Sequence, residues 1–179
     1  MKGNDGTGNI PERDSWRTNQ DLWNKLDKQY CFTFDCCASL INAKTYNYSP
    51  DFLNCSDIDG CSWMNPPFSK SKEMFKQFFK VVHKGVAIYR CDNMETKVWQ
   101  EIILKQANWV FIPKGRISYT SFETGDMRKG KGTRFPSALI GFNVPRPNLT
   151  DGCFLRLINW RFILNLYVVV VKKSSTLIQ

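Results

Sequence analysis

The sequence predicts an α/β fold: a small parallel sheet covered by helices, finished by an antiparallel strand pair at its C-terminal edge. Three observations predict it. Short apolar runs at 31–34, 61–64, 86–89 and 109–112 have strand length and sit between turn signals. Stretches with apolar residues at the 3.6-residue period separate them, giving strand–helix–strand–helix–strand. Beyond Pro113 the pattern changes to two strands, 116–122 and 135–142, around a basic, glycine-rich loop at 123–133.

Residues 1–15 are polar and Gly-rich, and read as a flexible arm ahead of a domain over 16–145. Thr18 or Asn19 can cap a helix whose apolar face is Leu22, Trp23, Leu26 and Tyr30. The run 31–34 is a strand that delivers Asp35 at its carboxyl end. Residues 39–60 lack periodicity and contain Pro50 and Gly60, so they read mostly as loop and turn. The strand 61–64 ends at Asn65. Ser69 or Ser71 can cap the next helix, with the stripe Met74, Phe75, Phe78, Phe79 and Val82, and Gly85 reads as its terminator. After the strand 86–89, Asp92 or Asn93 opens a helix with Val98, Trp99, Ile102 and Ile103 on one face. Residues 146–179 form an extension of undefined structure. Its apolar run 162–171 is about half the roughly 20 residues that cross a bilayer. Extending it toward residue 153 brings in Arg156 and Arg161, so a terminal strand is favoured over a membrane tail.

Composition narrows the function. At 42% hydrophobic and 14% aromatic, the 179 residues are no disordered segment. A net charge of +9, from 25 Lys+Arg against 16 Asp+Glu, favours a polyanionic partner, and nucleic acid is the commonest. The seven cysteines are odd in number and lack the paired spacing of a zinc site, so no metal is expected and most thiols read as small buried hydrophobes. With no secretory signal ahead of them, a reducing, cytoplasmic compartment is the simplest reading. The one histidine, His83, lies near a helix end and suits a surface role better than a catalytic one.

The most specific chemistry lies in Asn65-Pro66-Pro67-Phe68. An adenine amino group is a poor nucleophile because its lone pair is delocalised into the ring. Accepting hydrogen bonds from both of its N–H groups pyramidalises the nitrogen and frees the lone pair. The Asn65 side-chain carbonyl and the Pro66 main-chain carbonyl can do this together. Two successive prolines fix the backbone and bar Asn65 from helical geometry. Phe68 offers a flat face for an extruded base. The plainer alternative is a strand ending in a proline-rich turn, with Phe68 folded into the core.

With these elements in view, the chain resembles the phage-type DNA N6-adenine methyltransferase family. The resemblance is carried by Trp16-Arg17-Thr18, the stretch from Phe32 through Asp35 to Ser39, Trp63-Met64-Asn65-Pro66-Pro67-Phe68, and Lys114-Gly115-Arg116-Ile117. It extends from about residue 15 to 143. It implies a reduced, Rossmann-like sheet and transfer of a methyl group from S-adenosylmethionine to the exocyclic nitrogen of adenine in double-stranded DNA. Two departures stand out: members usually read Thr-Pro where this chain has Thr18-Asn19, and nothing after Arg146 has a counterpart.

Candidate residues follow from these two sources. Catalysis is expected of Asn65, Pro66, Pro67 and Phe68. S-adenosylmethionine carries a sulfonium and an ammonium group, so carboxylates at strand ends suit it. Asp35 is the first candidate contact, against the plain reading of a turn-forming Asp. Asp57 is a candidate for the ribose hydroxyls. Thr18 is a contact by analogy with the family, and Ala38, in place of the glycine many adenine methyltransferases use, allows close approach. For DNA, the glycine-interleaved Arg128, Lys129, Lys131 and Arg134 are favoured, with Lys70, Lys72 and Lys76 as further candidates and a solvated surface as the plain reading of each. No obligate protein partner is called for. Rival readings are methylation of RNA adenine or of a protein glutamine amide, and a DNA-binding protein without catalysis.

Overall fold

The computed structural model describes Asp14, residues 16–120 and residues 135–156. The basic loop at 123–133, most of the N-terminal arm and the apolar run 162–171 therefore lie outside the described residues.

Strand β1 (Arg17–Thr18) leads into helix α1 (Gln20–Tyr30). Asn19 is its N-cap: the side-chain oxygen accepts from the N–H groups of Asp21 (2.8 Å) and Leu22 (3.3 Å). A proline at position 19 supplies no such acceptor, so the departure at this residue has a structural use. Strands β2 (Phe34–Asp35) and β3 (Asn47–Tyr48) follow, then β4 (Ile58–Met64), helix α2 (Ser71–Val81) and β5 (Val82–Arg90). A π-helical segment, Val98–Ile103, continues into one α-turn, Leu104–Gln106. The chain then forms β6 (Trp109–Pro113), β7 (Tyr119–Thr120), β8 (Ser137–Phe142) and β9 (Gly152–Arg156).

Seven strands form one sheet in the order β3-β2-β4-β5-β8-β6-β9. β3, β2, β4 and β5 pair in parallel, and every pairing from β5 onward is antiparallel. The fold class is as expected, a reduced mixed sheet with its antiparallel part toward the C-terminal edge. Its details differ from expectation in five places. Among the described residues, the two strands around the basic loop do not pair with each other. β8 inserts between β5 and β6, while Tyr119 and Thr120 of β7 pair with Thr18 and Arg17 of β1. Residues 152–156, expected to be part of an undefined extension, close the sheet as an edge strand. Residues 39–60 hold β3, a 3₁₀ turn at Phe52–Asn54 and the start of β4.

The other two corrections lie along α2 and β5. Gly85 does not end the helix: α2 stops at Val81 and β5 begins at once. Gly85 sits within the β4–β5 pairing opposite Ser62, where a Cβ would lie 2.4 Å from the Ser62 carbonyl oxygen, so close strand approach is what selects glycine. Nor do Asp92 or Asn93 cap a helix, because residues 92–95 make turns and the helical segment begins only after Thr96.

Side-chain alternation along the strands builds two cores. Trp63, Val86, Ile88, Trp109, Phe111 and Leu139 face α1 and its Trp23 and Leu26. Their neighbours Met64, Ala87, Tyr89, Val110, Ala138 and Ile140 face α2 and the π-helical segment. The α2 stripe of Met74, Phe75, Phe78 and Phe79 is buried as the period predicts, and each fully buried Phe contributes about 1.5–3 kcal/mol. The thiols of Cys36 and Cys61 are likewise buried. Desolvation pushes Cys36 well above the usual range and Cys61 to about 11, so both stay protonated.

Candidate active site

The chain leaves β2 toward β3 on one side and returns to β4 on the other. The boundary between β2 and β4 is therefore the point where strand order reverses, the place where open α/β sheets bind ligands. Asp35 ends β2 in register with Trp63, and Asn65 follows the last residue of β4. Strand spacing puts their Cα atoms roughly 8 Å apart across that crevice.

Asn65 does not stand alone there. Its amide nitrogen donates to the main-chain carbonyl oxygen of Trp16 at 2.7 Å. Only the NH₂ end of an amide can bond a carbonyl, so this contact fixes which way the side chain faces and leaves Oδ1 as the outward acceptor. Among the described residues, neither Asn65 Oδ1 nor the Pro66 carbonyl accepts a hydrogen bond, whereas the Pro67 carbonyl takes the Lys70 N–H at 3.1 Å. Pro66 is buried and Asn65 half-buried. Behind the turn, Asp14 holds Ser69 twice: one oxygen accepts the main-chain N–H at 3.1 Å and the other the hydroxyl. The Trp16 carbonyl could not be foreseen, since a main-chain acceptor leaves no mark in side-chain identity, and Asp14 lies 55 positions from Ser69 in a polar segment without pattern.

Phe68 is half-buried and meets both cores. Tyr89 and Phe135 pack their rings against it edge to face, at 6.0 Å and 5.1 Å between centroids.

Asp35 is 4% exposed. Its carboxylate accepts the main-chain N–H of Lys44 at 3.1 Å and of Cys37 at 3.4 Å, so it does shape the turn after β2. These bonds do not compensate for burial, which raises its pKa from 3.8 to about 6. Ala38 is buried beside it, its N–H bonded to the Ser49 carbonyl. Thr18 is 3% exposed, and its hydroxyl finds no partner among the described residues. The segment that carries Thr18 is tied to the crevice at both ends. Trp16 holds Asn65, and Gln20 accepts from the Lys44 ammonium at 2.7 Å.

Asp57 is not brought to this place. It precedes β4, at the amino end of the sheet and more than about 20 Å along the strand from Asn65. There it pairs with His83 at 2.6 Å on the surface, and the bond to its carboxylate raises the His83 pKa. The candidate ribose contact is withdrawn, and His83 has the surface role expected of it. Arg128, Lys129, Lys131 and Arg134 lie outside the described residues. Lys70, Lys72 and Lys76 are exposed on the first turns after the Asn65–Phe68 segment.

The geometry thus defines a site with two carbonyl acceptors for a planar amino group, set beside a buried acid suited to a cationic ligand. The model of the DNA N-6-adenine-methyltransferase (Dam) family matches residues 6–143, and the chain belongs to that family. Its activity is methylation of the N6 amino group of adenine in DNA, with S-adenosylmethionine implied as methyl donor. No curated protein matches the chain significantly. Among the described residues no cluster could hold a metal ion, and no helix is long and apolar enough to cross a membrane.

Proposed function

We propose that Asn65, Pro66, Pro67 and Phe68 are the catalytic residues of this adenine methyltransferase. The observation that carries the proposal is the Trp16–Asn65 hydrogen bond, which turns Oδ1 outward next to an unused Pro66 carbonyl. Two acceptors held in this way receive the two N–H groups of the adenine amine and draw it out of conjugation. Pro67 keeps the turn from relaxing, because its ring fixes φ (here −59°). Phe68 stacks on the purine. Extruding the base from a duplex costs a few kcal/mol, which phosphate contacts offset. Arg128, Lys129, Lys131 and Arg134 are proposed for those contacts, with Lys70 and Lys72 beside the turn.

The residues lining the crevice fit S-adenosylmethionine. Asp35 is a buried carboxyl with no salt bridge among the described residues, and Thr18 presents a buried hydroxyl without a partner among them. Asp35 would hold the positively charged end and Thr18 a polar atom of the ligand, with Ala38 allowing close approach. When bound, this cofactor supplies a methyl group on a positively charged sulfur. We place the reaction in the cytoplasm on double-stranded DNA.

The test compares wild type with Asn65→Ala by calorimetry and by labelled methyl transfer. Donor binding that persists while transfer slows by about 10²–10³ supports these roles; transfer at the wild-type rate refutes them.

A further inference from the structure

Beyond the residues above, the carboxyl end of β5 carries a clamped guanidinium. Arg90 donates from Nε and Nη2 to the two carboxylate oxygens of Asp92, at 2.7 Å each. Its carbonyl accepts the Trp99 indole N–H at 3.0 Å, which ties the backbone to the π-helical segment. The two side chains are only 18% and 32% exposed. Arg90 lowers the Asp92 pKa, chiefly through this hydrogen bond, so the pair stays ionised at neutral pH.

The place where the guanidinium is held matters more than the ion pair itself. Its central carbon lies 5.2 Å from the Phe135 ring centroid and 5.9 Å from that of Phe68, within reach of a cation–π contact with each. Those two rings meet at 83°. Phe68 begins a 3₁₀ turn, and its ring is packed edge to face against its neighbours. Tyr89, Phe135 and Arg90 all meet it, and Arg90 is held in place by its ion pair with Asp92.

We infer that Arg90 and Asp92 are positioning residues. The Asp92 carboxylate locks the Arg90 guanidinium against the Phe68–Phe135 pair and so holds the Phe68 ring in the plane on which the target adenine stacks. This inference rests on the proposed role of Phe68. Arg90 acts through that ring and need not touch the base.

Two substitutions separate this from other roles. Arg90→Lys keeps the charge and loses the fork; Asp92→Asn keeps the shape and loses the charge. Each is expected to lower kcat by about ten- to hundredfold, the scale of a misplaced group, with KM for DNA and donor little changed. In a Phe68→Leu background the same substitutions should cost nothing further, because the ring they position is gone. A loss of folded protein multiplies equally in both backgrounds, and that result overturns the inference. So does a change in the salt dependence of DNA binding, which marks a phosphate contact by Arg90. Active wild type with both variants unaffected refutes this inference alone. A wild type that forms no N6-methyladenine refutes the functional reading, and this inference with it.

Discussion

The side-chain amide of Asn65 is bonded through its nitrogen to the main-chain carbonyl oxygen of Trp16, 49 positions earlier in the chain. An asparagine at a strand end can present either end of its amide; this one presents its oxygen. The adenine amine needs acceptors only, so the contact leaves outward the end of the amide that the proposed mechanism requires. Removing Asn65 Oδ1 by substitution with Ala should therefore cost about 10²–10³ in kcat, the scale seen when a preorganised polar contact is lost. Steady-state methylation checks it, with donor affinity measured alongside.

Phe68 packs against Tyr89 and Phe135, and its proposed second role is to stack on the base. Phe68→Leu keeps an apolar side chain of similar reach and should lower kcat while leaving the fold intact. Phe68→Ala loses more, and Phe68→Asp, which places a charge between Tyr89 and Phe135, loses the most. Methylation rates normalised to folded protein, by near-ultraviolet circular dichroism, test this order. A rate for Phe68→Asp above that for Phe68→Ala contradicts stacking.

Asp35 gives the site a pH dependence of defined sign. Burial raises its pKa from 3.8 to about 6. The folded state thus holds a proton in that interval which the unfolded state has released. Stability of the ligand-free protein should fall as pH rises from about 4 to 6 and level off above, by about 3 kcal/mol in all. A cationic ligand needs the carboxylate ionised, so donor affinity should rise over the upper part of the same window. Denaturant titrations and calorimetry across this range check both, and Asp35→Asn should abolish both trends.

Gly85 tests the correction to the fold. A methyl group there meets the Ser62 carbonyl oxygen at 2.4 Å, and backbone cannot rotate away. Gly85→Ala should destabilise the protein by about 1–3 kcal/mol, read as a lower midpoint in urea.

Asp57→Asn should leave donor binding unaltered, since its partner is His83 at the far end of β4. Weakened binding in calorimetry would restore it as a contact.

These outcomes trace what the sequence made legible. The Asn65 turn and Asp35 could be read directly, because their chemistry lies in side-chain identity and their position in the ending of an apolar run. The α2 stripe could be read because one helix face faces one core. Gly85 misled because a glycine after a helical stripe satisfies the local rule for a helix end, while its actual constraint is the Ser62 backbone 23 residues away. The partner of β7 was equally hidden: a two-residue pairing with β1 leaves no periodicity to detect. Asp57 looked like a ribose contact from its place between β2 and Asn65 in sequence. A parallel sheet puts the start and the end of β4 on opposite edges.

The most direct test is incubation of the purified chain with unmethylated DNA and labelled S-adenosylmethionine, followed by digestion to nucleosides. Label is expected in N6-methyladenine with the wild-type chain, formed about 10²–10³ times more slowly by Asn65→Ala. Label absent from adenine with the wild-type chain, or formed equally fast by the two proteins, contradicts the account.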